Sequence, residues 1–166
     1  MHFRRCIGCF VLLTSTLFIP ALPAKAQQVP QATINKLVSL MQQDNFSYKT
    51  TNMPTVFHIH FTGDHLKDIL VVLALGGDED SDLVVFVTVT PKATMPTTAD
   101  LRYTLLKFNH EFDQVKVGFD GDDDLSVRVD GSMRLADATY VKNVVNQVKN
   151  ASDEIYGKIQ PDLLPQ

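Results

Sequence analysis

The sequence predicts an α+β domain with the element order α-β-β-β-α-β-β-α, in which an antiparallel sheet carries its helices on one face. Four apolar side chains in residues 97–113 recur at steps of four, three and four: Leu101, Leu105, Phe108 and Phe112. That spacing lines them along one face of an α-helix. The apolar period then changes to two on both sides of the turn at residues 120–124, which predicts an antiparallel hairpin. Helix and hairpin each need a cover, so the remaining elements should pack around this pair.

The first 26 residues have the features of an export signal. Arg4 and Arg5 form a positive start, an uncharged apolar run follows, and Ala24-Lys25-Ala26 is a small-x-small cleavage site. The apolar run is short for a membrane span. We therefore expect residues 1–26 to be a signal peptide that is removed, leaving one secreted or periplasmic domain, 27–166, with no membrane span.

The composition of the mature chain excludes several classes of function. Both cysteines, Cys6 and Cys9, lie in the signal segment, so no disulfide, cysteine zinc site or thiol nucleophile remains. Removal of that segment leaves 12 basic and 19 acidic residues, a charge of −7. Such an acidic chain without basic clusters argues against a nucleic-acid partner.

Before the central helix, the pattern predicts one helix and three strands. Pro30 begins a helix whose apolar stripe includes Leu37 and Met41 and which ends near Asp44-Asn45. Residues 48–53 are extended or irregular. In the strand 56–61, Phe57, Ile59 and Phe61 alternate with Val56, His58 and His60.

Residues 66–75 fit either a helix or a strand, and their neighbours favour the strand. The turn-forming loop 76–82 follows, and residues 83–89 form a second strand of similar length. Thr97 or Thr98 can then cap the central helix. After the hairpin, Asp137 can begin a last helix with an apolar stripe, which Gly157 and Pro161 end.

This order of elements matches the type III secretion chaperone-like fold. Within it, residues 105–110, 117–122 and 125–130 resemble the YbjN-type family, described as sensory transduction regulators of bacteria. The resemblance implies a fold without a known catalytic centre, often dimeric, that binds other polypeptides. Only Asn109, Asp120 and Gly121 correspond residue by residue, and the family gives them no catalytic role.

The histidines offer the one alternative that involves an enzyme. His58 and His60 lie on one side of a strand, and His65 or Asp64 could approach them after the turn, as in a zinc or copper site. The alternative function is therefore a small metal-dependent periplasmic enzyme or metal-binding protein. An exposed strand face is the simpler interpretation.

Two further motifs are incomplete. Asp120, Asp122 and Asp124 imitate the start of a calcium loop, but Leu125 and Gly131 replace the glycine and glutamate of an EF-hand. No serine lies in a Gly-x-Ser-x-Gly elbow. We assign no catalytic, cofactor-binding or metal residue. The sequence therefore favours a non-enzymatic binding or interaction module without cofactor, whose partner is an unknown polypeptide or a second copy.

Overall fold

The computed structural model describes residues 29–76, 82–95 and 98–164. The predicted signal peptide, most of the acidic loop at 77–81 and Thr97 lie outside these ranges. The helices are α1 (Gln31–Gln43), α2 (Ala99–Glu111) and α3 (Ala138–Ile159). The strands are β1 (Tyr48–Thr50), β2 (Val56–Phe61), β3 (Ile69–Leu75), β4 (Leu83–Thr90), β5 (Lys116–Phe119) and β6 (Leu125–Gly131).

All the strand pairs are antiparallel and form one sheet in the order β1-β2-β3-β4-β6-β5. The predicted α+β class, the β2-β3-β4 meander and the β5-β6 hairpin are confirmed. The sequence left residues 48–53 as extended or irregular, and part of that segment is the additional edge strand β1. Its side-chain alternation is too short to detect, and an edge-to-face contact between Tyr48 and Phe57, 5.8 Å between ring centroids, holds it in place.

The core lies between one face of the sheet and the helices. The six predicted stripe residues of α3 are all buried: Val141, Val144, Val145, Val148, Ala151 and Ile155. They pack over β3, β4 and β6, while α1 packs against α3 and α2 against β5. Every second side chain of the strands is buried beneath the helices. In β3 these residues are Ile69, Val71, Leu73 and Leu75. The helices thus cover one face, as predicted.

Helix α2 has the predicted cap and core face. The Thr98 hydroxyl oxygen accepts a hydrogen bond from the Leu101 N–H at 3.2 Å. Leu101, Leu105 and Phe108 are buried. Phe112 ends the helix, is only partly buried, and stacks on Phe108 with 6.0 Å between ring centroids.

Helix α3 begins as predicted and ends at Ile159, between Gly157 and Pro161, the two residues predicted to end it. The Asp137 carboxylate accepts a hydrogen bond from the Tyr140 N–H at 2.7 Å. Gly157 lies inside the helix, where the absence of a side chain makes room for the His65 ring. A Cβ at this position would come within 2.6 Å of that ring. Within the described residues, no helix combines the length and apolar character needed to cross a membrane.

The loop between β2 and β3 is fixed to α3 by one carboxylate. Asp153 accepts hydrogen bonds from the backbone N–H groups of Asp64, His65 and Leu66 at 2.7–3.0 Å. Burial raises the pKa of the Asp153 carboxyl, but these three hydrogen bonds outweigh it and leave the pKa below its usual value. The ionised carboxylate therefore contributes to the stability of the fold.

We expect Phe108→Ala to lower the free energy of unfolding by about 3–5 kcal/mol, because the ring is only 2 % exposed. Arg102→Ala, at an exposed position of the same helix, is the control and should change it by less than about 0.5 kcal/mol. Urea unfolding measures both. Equal effects would show that the core face of α2 is wrongly assigned.

We expect Asp153→Asn to lower the stability by about 1–2 kcal/mol at pH 7, since hydrogen bonds to a charged acceptor are lost at a partly exposed site. A lowered pKa means that this stabilisation is present above the unfolded pKa, about 3.8, and is lost as the pH falls through the folded pKa. Thermal midpoints of wild type and variant should therefore differ at pH 7 and converge as the pH falls through the folded pKa. Glu154→Gln is the neighbouring control, and a constant difference over this pH range would contradict the account.

Candidate binding face of the sheet

The face of the sheet that points away from the helices, here called the open face, carries a cluster of apolar side chains. This apolar stripe consists of Leu70, Val72 and Ala74 on β3 and Val84 and Phe86 on β4. Val72 lies opposite Phe86, and Ala74 lies opposite Val84. All five are half-buried by their neighbours, yet none packs against the core. Within the described residues, no helix covers them.

The stripe exists because β3 and β4 are apolar at almost every position. A strand with one face towards water normally alternates apolar and polar residues, whereas a continuous apolar run is typical of a strand covered on both faces. Residues 69–75 are uninterrupted ILVVLAL, and residues 83–87 are LVVFV. The sequence of these strands is therefore typical of strands that are covered on both faces. In the described residues, helices cover one face of the sheet, and the open face has no such cover.

Cations lie at both ends of a row of residues that crosses the stripe. Residues directly opposite each other in an antiparallel sheet share a face. The strand register gives one such row from β1 to β5: Lys49, His58, Val72, Phe86, Arg128 and Lys116. Two apolar side chains thus occupy the centre, and no carboxylate belongs to this row.

The β5-β6 end of the row is organised by Asp130. One carboxylate oxygen accepts hydrogen bonds from Arg128 Nε at 2.9 Å and Nη2 at 2.5 Å, and the other accepts from Lys116 Nζ at 2.9 Å. Burial raises the pKa of the Asp130 carboxyl, but the two cations lower it by a larger amount. The pKa is therefore below its usual value, and the group stays ionised. The carboxylate is 15 % exposed, against 49 % for Arg128 and 68 % for Lys116, so the cations face the solvent.

A shallow groove of about 270 Å³ runs beside the stripe, between Phe86, Arg128 and the turn at residues 120–122. The Asp120 carboxylate accepts hydrogen bonds from the Asp122 and Asp124 N–H groups at 2.9 and 3.0 Å. The Asp124 carboxylate accepts one from the Lys92 N–H at 2.8 Å. Because these carboxylates hold the turn together, the solvated hairpin turn is favoured over the calcium loop.

The structure separates the histidines that could have formed a metal site. His58 and His60 lie on the open face, where His60 Nδ1 is 3.0 Å from an Asp68 carboxylate oxygen. His65 packs against Gly157 of α3, on the helix side of the sheet. Among the residues that the structure describes, no group of three or more His, Cys, Asp or Glu is arranged to hold a metal ion. The proximity of Asp68 follows from the β2-β3 register, which no local sequence pattern indicates.

Asn109, the helix residue of the YbjN-type motif, has a structural role at the edge of the sheet. Its side-chain amide donates to the Val117 carbonyl at 2.8 Å and accepts from the Val117 N–H at 2.7 Å. The side chain therefore occupies the outer edge of β5 at its centre, where another strand would otherwise pair. Gly121 lies in the turn that follows β5.

Near this edge, α2 presents apolar side chains to solvent. Tyr103 is 62 % exposed, Leu106 68 % and Phe119, on β5, 49 %. The Lys107 ammonium lies 4.6 Å from the centroid of the Tyr103 ring. This surface is separate from the open face, because Phe119 pairs with the buried Leu125 and shares the helix side of the sheet.

Sequence comparison finds no matching protein-family model and no matching curated protein. Structure comparison finds the fold in several proteins. YbjN from E. coli superposes with a TM-score of 0.55 at 15 % identity, covering 80 % of this chain and 96 % of YbjN. The ExsC–ExsE complex gives 0.54 at 12 % identity, with coverage of 80 % and 96 %.

A third similar structure is the Yersinia pestis type III secretion chaperone SycH in complex with a stable fragment of YscM2. Its TM-score is 0.50 at 16 % identity, and the match covers 74 % of this chain and 98 % of that one. The type III secretion chaperone-like fold and its likeness to YbjN, both expected from the sequence, are confirmed. At these identities the likeness is one of fold.

Proposed function

We propose that the mature chain is a periplasmic or secreted, non-enzymatic module that binds a polypeptide through the open face and pairs as a homodimer. The observation that carries this proposal is the apolar stripe. Its five side chains lie on strands whose composition fits two covered faces, although the helices cover one.

The energetics of the stripe favour a partner. Burial of apolar surface contributes about 25 cal/mol per Å², so a partner that covered about 300 Å² would gain about 7.5 kcal/mol before the costs of association. Contiguous exposed apolar patches of a few hundred Å² often mark interaction sites. A polypeptide segment can supply the required alternation of apolar and polar side chains.

The similar structures support a polypeptide as the partner. SycH is a secretion chaperone captured with a fragment of another protein, and ExsC is captured in a complex with ExsE. The fold of this chain is therefore compatible with binding of that kind.

The proposed location rests on the signal sequence alone. If the signal is removed as proposed, N-terminal sequencing of the exported protein should find Gln27 as its first residue.

The binding proposal is tested with a permanently unfolded polypeptide, reduced and alkylated α-lactalbumin, titrated into mature protein. We expect measurable binding that Leu70→Ser and Phe86→Ser each weaken by about fivefold, because each removes apolar contact from the stripe. Leu135→Ser, at an apolar residue 77 % exposed outside the sheet, is the matched control. Circular dichroism checks that each variant is folded. Equal weakening by the control would contradict binding at the open face.

The homodimer proposal rests on Tyr103, Leu106 and Phe119, which a second copy would cover. Light scattering should give twice the mature mass, and Leu106→Asp should give a monomer, because a buried charge is costly. The double variant His58→Ala/His60→Ala should leave the dimer intact, because both histidines lie on the open face. A monomeric wild type would overturn the dimer, and stoichiometric zinc or copper lost in the double variant would support the metal-binding alternative.

A further inference from the structure

We propose that the open face selects polypeptide segments whose apolar side chains are flanked by Asp or Glu residues, and that these segments cross the strands along the row from Lys49 to Lys116. This inference rests on the proposed function, because it names the class of partner for the same face. It follows from where the cations lie and from which hydrogen-bonding groups remain unused.

The cations of the row retain unused donors. Lys116 donates once, to Asp130, although an ammonium has three N–H groups. Arg128 uses Nε and Nη2 on the same carboxylate and leaves Nη1 unengaged within the described residues. Lys49, exposed on β1, has no ion-pair partner among those residues. The unused N–H donors of these cations can therefore bind acceptors from a partner, and carboxylates are the strongest acceptors that a polypeptide offers.

Three of the acids near the stripe have partners, and a fourth, Asp122, lies at the turn end of the groove. Both Asp130 oxygens accept from the cations, Asp68 contacts His60, and Asp120 holds the backbone of its turn. Asp122 belongs to the turn that precedes β6, and it lines the groove beside Phe86 and Arg128. A segment that ran along β6 would meet this acid, whereas one that crosses the strands meets cations at both ends. The charge distribution therefore favours a partner that crosses the strands.

The spacing sets the length of the segment. Lys49 and Lys116 are on strands five steps apart in the sheet, so they are separated by roughly 24 Å at about 4.8 Å per step. The apolar centre of the row is formed by Val72 and Phe86 on neighbouring strands. A peptide of about 16 residues can span this distance even as a helix.

The net charge of the protein and the local row of cations predict opposite preferences for charged peptides. A mature chain with a charge of −7 should attract basic peptides if only long-range electrostatics acts. Selection by the local row predicts the opposite preference. Two peptides of one apolar pattern and opposite charge therefore distinguish the two causes.

The experiment uses two labelled 16-residue peptides with the same central leucines, one with Glu and one with Lys on both sides. Fluorescence anisotropy at low salt gives their affinities for mature protein. We expect the Glu peptide to bind about fivefold tighter, as two partly exposed ion pairs allow. Lys49→Gln/Lys116→Gln should abolish the preference. The control, Lys149→Gln on helix α3, should retain it.

A Lys peptide that binds equally or more tightly overturns the inference, as does an equal effect of Lys149→Gln. Phe86→Ser should weaken both peptides while leaving their ratio unchanged, which separates apolar from charged contributions. If neither peptide binds but alkylated α-lactalbumin does, the inference fails and the proposed function stands. If neither the peptides nor α-lactalbumin bind, both fail.

Discussion

The burial of one sheet face beneath α3 determines which side chains of the central strands reach the open face. A strand directs successive side chains to opposite faces, so once Val71, Leu73 and Val85 pack under α3, Val72 and Val84 must point away. All the described helices are used on one side: α3 covers the central strands, α1 supports α3, and α2 lies at β5. The apolar stripe is therefore a direct consequence of a two-layer fold built on two strands, β3 and β4, that are apolar at almost every position. This consequence links the packing of the core to the proposed binding.

The acidic character of the chain has a structural component. Asp82, Asp120, Asp124, Asp137 and Asp153 each accept hydrogen bonds from backbone N–H groups. They cap a helix, close turns or join loops, and these contacts satisfy donors that would otherwise be unpaired. Asp130 instead uses its carboxylate to position cations on the open face. The carboxylates of Asp120 and Asp124 are thus part of the backbone hydrogen bonding, in keeping with the incomplete calcium motif in the sequence.

Local patterns predicted most of the elements, because their signals come from neighbours in the chain. The stripe of α3, the Asp137 cap and the hairpin after α2 are examples, and strand runs on both sides of the loop resolved the ambiguity at residues 66–75. What depends on long-range pairing was not predictable. Strand β1, the insertion of β6 between β4 and β5, and the Asn109 bridge to Val117 all require the tertiary arrangement. Gly157 looked like a helix end, because the His65 ring that needs its space lies far away in sequence.

The candidate site could be predicted from the sequence only in part, because it too depends on long-range pairing. His58 and His60 were placed correctly on one side of β2, but the row that joins Lys49, Arg128 and Lys116 depends on the register of five strand pairs. The apolar runs of β3 and β4 were visible, yet a run does not indicate which of its faces lacks a cover. That information comes only from the positions of the helices.

Methyl NMR of the mature protein, with and without alkylated α-lactalbumin, shows which face of the sheet binds a polypeptide, because neighbouring valines on one strand report opposite faces. We expect shifts at Val72 and Val84 and little change at Val71 and Val85, which are buried under the helices. Perturbation confined to helix methyl groups such as Leu106, with the Val72 and Val84 signals unchanged, would contradict binding at the open face.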